Sequence, residues 1–135
     1  MSSQTDDVGK LVLRVTVGVM VLMHGIAKIV NGPGHILGMM DKIGMPPEFG
    51  YLVYVGEVLA PILLIIGLLT IPAALIVVIN MLFAIVLVHS HQLLTLSQSG
   101  GWALELQGMF LFGALAVAFL GAGRYSVGGP YGKWN

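Results

Sequence analysis

The side chains able to do chemistry in this 135-residue chain are few, and they interrupt otherwise apolar stretches. They are His24, Lys28, Glu57, Asn80, His89, His91 and Glu105. An ionisable group at the centre of a membrane helix is unfavourable by about 2.5–3.5 kcal/mol even on insertion scales, so each needs a partner or a task. Counting depth at about 1.5 Å per residue sets His24 and Glu57 at one level, each about 10 Å below the same boundary of the apolar layer. Lys28 lies one turn above His24 on the same helix face. His89, His91 and Glu105 fall nearer that boundary, and Asn80 shares a face with His91. One half of the layer thus collects these groups, and the spacing predicts a polar cavity between helices in the outer half.

Three chemistries suit that set. A quinone head group needs donors such as His24 or Lys28 for its carbonyl oxygen and a carboxylate such as Glu57 to carry protons. The cavity wall for it is expected from His24, Lys28, Glu57, Asn80, His89 and Glu105, with His24, Lys28, Glu57 and Glu105 in the reaction itself. A divalent metal is the alternative, held by His24, Glu57, His89 and Glu105. Haem between His24 and His89 is the weaker variant, because their depths differ and no attachment motif is present. An ion pair between Lys28 and Glu57, and a packing role for His24, are the structural readings of the same residues. His35 and His91 read as interfacial groups, and Met39-Met40 as packing rather than a Cu(I) site.

The elements that must position these groups follow from composition. Hydrophobic residues make up 57% and charged residues 9%, with six basic residues balancing six acidic ones. A soluble domain carries about 25% charge, so the chain reads as an integral membrane protein in contact with a lipid bilayer. Lys and Arg are too few and too scattered for a nucleic-acid binder. The absence of cysteine removes disulfides, thiolate metal sites and Cys-held iron–sulfur clusters.

Four stretches approach the roughly 20 apolar residues a spanning helix needs. They cover about 9–30, 51–69, 72–94 and 103–121 in a single domain. Between the first two, His35 to Ile43 is too short to span and is expected as a short interfacial or re-entrant helix. The predicted fold is therefore all-α, a membrane four-helix bundle. Gly18, Gly25 and Gly32 recur every seven residues on the first span, which suits close helix approach. That span is expected to be retained rather than cleaved, since Arg14 interrupts its apolar run and no Ala-x-Ala site follows. Arg14 is expected to snorkel to the surface. Lys10, Arg14, Arg124 and Lys133 against Lys28 and Lys42 favour both termini in the cytoplasm.

The residues also resemble a known family. Leu13-Arg14 with Met23-His24-Gly25-Ile26-Ala27-Lys28 is similar to the first helix of the DoxX family. Gly56-Glu57-Val58-Leu59 and Gly67-Leu68-Leu69-Thr70 resemble its second helix. Trp102-Ala103-Leu104-Glu105-Leu106-Gln107 and Gly121-Ala122-Gly123-Arg124-Tyr125-Ser126 resemble its fourth helix and exit. Val127-Gly128 stands where the family commonly has Leu-Asp. The resemblance implies a bacterial-type inner-membrane protein related to subunits of quinol oxidases or thiosulfate:quinone oxidoreductases. It also implies Arg14, His24, Lys28, Glu57, Glu105, Arg124, Tyr125 and Ser126 as family positions. Three roles remain open: a quinone-linked redox subunit, a metal-binding or transport-associated protein, and a non-catalytic anchor for an oxidoreductase partner subunit, with homo-oligomerisation a further possibility.

Overall fold

The computed structural model describes residues 3–135. They are helical, with no strand among the described residues. Helix α1 spans Gln4–Asn31 and the short α2 spans Gly34–Lys42. Helices α3, Pro47–Ile66, and α4, Thr70–Val88, are followed by α5, Glu105–Leu120. Helices α1, α3 and α4 are long and apolar enough to cross a membrane. At 16 residues α5 is shorter. It extends about 24 Å against a hydrocarbon core of about 30 Å.

Local chemistry explains the ends. The Ser3 side chain accepts a hydrogen bond from the Asp6 backbone N–H, and the Asp6 carboxylate accepts one from the Ser3 N–H. That reciprocal pair starts α1 five residues earlier than the apolar pattern alone indicates. Pro47 opens α3, where its missing N–H leaves no gap in the ladder. Gly67 closes α3 at φ 72°, a left-handed position that glycine adopts at low cost. Leu69 follows at φ 49°, so the hairpin turn holds a strained non-glycine residue. The turn is therefore Gly67-Leu68-Leu69, and Thr70 already belongs to α4. At its far end α4 stops at Val88, six residues before the expected Leu94. A tight turn at Ser90–Gln92 follows it.

The four long helices form a ring in which α1 packs on α3, α3 on α4, α4 on α5 and α5 on α1. Val17, Val21, Ala60, Leu64, Ala73, Ala74, Val77, Met81, Phe110, Ala114 and Val117 form the core. Small residues are prominent there because lipid supplies no hydrophobic drive, and close van der Waals approach must hold the helices together. The glycine stripe works as expected at two of its three positions. A Cβ on Gly18 would press on Ile65 and the Pro61 carbonyl, and one on Gly25 would collide with the Glu57 carbonyl. Gly32 instead ends α1 with open space around it.

Arg14 corrects an expectation. It does not snorkel: it is 1% exposed, inside the end of the bundle that carries both termini. Its guanidinium donates to the Leu64 carbonyl, to the Ile65 carbonyl at 2.7 Å and to the Tyr125 carbonyl at 2.6 Å. The last carbonyls of α3 lack intrahelical partners and form the negative end of its dipole, so a buried cation there has a clear task. The tail completes the closure. Val127 and Gly128 donate backbone N–H groups to Ile66 and Gly67. Asn135 Oδ1 accepts from the Thr70 hydroxyl at 2.7 Å.

Candidate functional site

At the opposite end of the bundle, beside α2 and the Leu93–Leu104 loop, Lys28 of α1 is ion-paired to Glu57 Oε2 of α3. Asn80 of α4 donates its amide Nδ2 to Glu57 Oε1 at 3.0 Å. Both carboxylate oxygens are thus engaged, and Glu57 is only 4% exposed. Three helices meet on this one side chain. The Tyr54 hydroxyl donates to the Lys28 carbonyl at 3.2 Å and fixes the end of α1 against α3.

Local backbone form explains the placement. Val55–Leu59 is a π-helical turn with Glu57 at its centre. A π turn inserts one residue into the helical phase and is common where a side chain must be re-aimed. A second π turn, Ala84–Val88, immediately precedes His89. Glycines make the room. The Glu57 backbone sits against Gly25, and a Cβ on Gly56 would strike Asn80.

Beside the ion pair lies a cavity of about 130 Å³. His24 and Lys28 of α1, Glu57 of α3, Ala84 of α4, His89 after it, and Leu106, Gln107 and Phe110 of α5 line it, with Val21 and Met81 at its floor. The His24 ring stands edge-on to Phe110, with centroids 5.5 Å apart and an angle of 68°. His89 Nδ1 lies 3.0 Å from Gln92 Oε1. A wider apolar groove, lined by Ile29, Tyr54, Val55, Val58 and Leu59, runs along the outside of α1 and α3.

The structure gathers His24, Lys28, Glu57, Asn80 and His89 at this end of the bundle. It does not bring Glu105 to them. Glu105 is exposed at the start of α5, on the stripe it shares with Met109 and Phe112, which are 71% and 63% exposed. That stripe faces away from the core. The opposite stripe carries Phe110, Ala114 and Val117, all buried, and Gln107 lies on it one turn before Phe110. Gln107 therefore takes the place expected for Glu105. Its signal is present in the sequence: an amide in phase with the small residues of an otherwise apolar helix. His35 and His91 are exposed, as expected of interfacial groups. Fraying near Ser90 lets His89 reach the cavity, while His91 turns out of it.

The metal set is likewise not assembled. Among the described residues no three His, Cys, Asp or Glu side chains converge in a metal-holding arrangement. Glu57, the central carboxylate, already has both oxygens occupied by Lys28 and Asn80. What the arrangement offers instead is hydrogen-bond donors (Lys28, His24, Gln107) around one buried carboxylate. Those groups suit a small carbonyl or hydroxyl edge, not a cation.

Comparison with known proteins agrees with the helices and the residues they carry. The DoxX family model matches residues 9–90, more than half of the chain, which takes in most of α1, all of α3 and α4, and Lys28, Glu57 and Asn80. No curated protein and no solved structure matches. The helical membrane architecture and the family match together establish that the chain belongs to the DoxX family of membrane proteins.

Proposed function

We propose that the chain is a quinone-linked redox subunit whose cavity takes the carbonyl edge of a quinone or the hydroxyl edge of a quinol. The observation that supports this best is the Lys28–Glu57 pair, braced by Asn80, in the wall of a small cavity between apolar helices. The residues fit the group. A quinone oxygen accepts hydrogen bonds and a quinol hydroxyl donates them, and the wall supplies Lys28, His24 and Gln107 as donors beside the Glu57 carboxylate. The size fits only an edge. Cavities for whole drug-sized ligands run to about 300–1,000 Å³, so rings and tails remain outside this one.

When bound, a quinone supplies two-electron, two-proton redox chemistry. The chain's own residues do the rest. Lys28 and His24 orient the polar edge. Glu57 holds or releases a proton at a carboxylate oxygen, with Asn80 keeping that carboxylate in one orientation as its charge changes. The chain has no cysteine. On this reading electrons reach the cavity from a redox group on a partner subunit. The basic residues Lys10, Arg14, Arg124 and Lys133 gather at the end holding the termini. This supports an inner-membrane orientation with that end cytoplasmic and the cavity in the outer half.

The test is to extract quinone from protein purified in native lipid and quantify it against protein. The expected result is near-stoichiometric quinone in the wild type and its loss in Glu57→Gln, with both proteins inserted equally. Equal quinone content in the two would count against the cavity as the binding site.

A further inference from the structure

The cavity is not closed on all sides, and its most exposed lining residues share one side of the bundle. Glu57 of α3 and Met81 of α4 are buried. By contrast His24 of α1 is exposed, and Leu106 of α5 is 43% exposed. These two residues belong to neighbouring helices. Lower down, α1 and α5 pack tightly: a Cβ on Gly113 would lie 3.0 Å from the Val17 side chain. Higher up, His24 and Leu106 are left exposed. The His24 ring packs edge-on against Phe110 and marks the inner limit of this exposed stretch. The surfaces on either side are apolar and exposed: Met20 and Met23 on α1, Met109 on α5. His24 is about 10 Å below the end of α1, so the gap lies within the depth of the acyl chains rather than at the water boundary.

We infer that the cavity opens sideways into the lipid through a portal between α1 and α5, flanked by His24 and Leu106 and closed on its inner side by the His24–Phe110 ring contact. The ligand it takes is a membrane-dissolved amphiphile with a compact polar head and an apolar tail, whose tail stays in the acyl layer. Two physical points carry this. A histidine facing lipid without a partner is costly, and ionisable groups at this depth almost always face an interior or a cavity. A head group drawn into the portal supplies a hydrogen-bond partner for His24, whose ring otherwise meets Phe110. The cavity is also too small for a whole amphiphile, which leaves the tail against Leu106, Met23 and Met109.

The inference rests on the cavity reading given above, but its test is independent of quinone. The chain contains no cysteine, so single labelled positions are clean. Nitroxides would be placed at Leu106→Cys, His24→Cys, Phe112→Cys and His91→Cys in protein reconstituted in phosphatidylcholine vesicles. Accessibility to lipid-soluble oxygen and to a water-soluble nickel chelate is then read at each. Phe112 sets the lipid reference and His91 the water reference. Labels at 106 and 24 are expected to respond to oxygen as strongly as the label at 112 and to give no response to nickel. A response like that at 91 would overturn the portal and make the cavity an aqueous vestibule. The 106 label retains His24, so it decides the matter if His24→Cys does not fold. A lipid-type response together with absent quinone would sink the quinone reading while leaving the portal standing.

Discussion

Asn80 of α4 donates to the same carboxylate, Glu57 of α3, that Lys28 of α1 neutralises. That single side chain ties three helices together, and it does so where the π turn at Val55–Leu59 departs from regular helical phase. A purely structural ion pair has no need of a cavity beside it. Here the pair lies in the wall of one, which is why we read it as a site.

The pair should show strong coupling. Glu57→Gln alone leaves the Lys28 ammonium without its counter-ion, and Lys28→Met alone leaves a buried carboxylate unpaired. Breaking a fully buried pair costs about 3–5 kcal/mol; because Lys28 is about one-third exposed, a loss of about 2–3 kcal/mol is expected for either change. Replacing both should recover most of it. Unfolding in mixed micelles with a denaturing detergent gives the four free energies of the cycle, and additive losses would contradict the coupling.

Gly25→Ala should destabilise the bundle, because the added methyl meets the Glu57 carbonyl and α1 must move off α3. Overpacking of this kind costs about 1–3 kcal/mol. Gly9→Ala, which meets open space, serves as the control and should be neutral or slightly stabilising. Thermal unfolding of the two variants side by side checks the contrast.

Arg14→Gln should loosen the end of the bundle that carries the termini while leaving the cavity intact. The change removes charge-assisted hydrogen bonds to the end of α3 and to Tyr125, for a loss on the order of 3 kcal/mol. Arg14→Lys keeps the charge but has no planar fork to reach separated carbonyls, so it should rescue only part. Faster proteolysis of the Gly121–Asn135 tail is the expected readout.

On α5 the two polar positions should behave oppositely. Glu105→Gln lies on the exposed stripe and should leave quinone content unchanged, whereas Gln107→Leu removes a wall donor and should lower it. Quinone extracted per protein reports both.

That last contrast marks where the sequence stops being legible. Depth is readable, because rise per residue is fixed: His24, Lys28 and Glu57 come together at the level their positions indicate. The apolar runs likewise located the helices, and the Gly18 and Gly25 spacing located a close contact. Azimuth was not readable. Whether Glu105 or Gln107 faces the core depends on which stripe of α5 the neighbouring helices cover, and Met109 and Phe112 look as core-like as Phe110 by type. The π turns compound this, since each shifts phase by one residue with no composition to announce it. Arg14 failed for a different reason. Near the end of a span a long cation can reach either water or a helix terminus, and only the fold shows that the last carbonyls of α3 lie within its reach.

The most direct measurement is a fluorescence titration that uses Trp102. The chain has two tryptophans, and Trp102 packs over Gly108 beside Gln107, while Trp134 lies at the other end of the bundle. With Trp134→Phe as background, a short-tailed ubiquinone analogue added to reconstituted protein should quench Trp102 with saturation. The double variant Lys28→Met/Glu57→Gln should weaken that binding about tenfold or more, the equivalent of one lost charge-assisted hydrogen bond at about 1.4 kcal/mol. Quenching that never saturates, or that is identical in the background and the double variant, would contradict the assignment of this cavity as the quinone site.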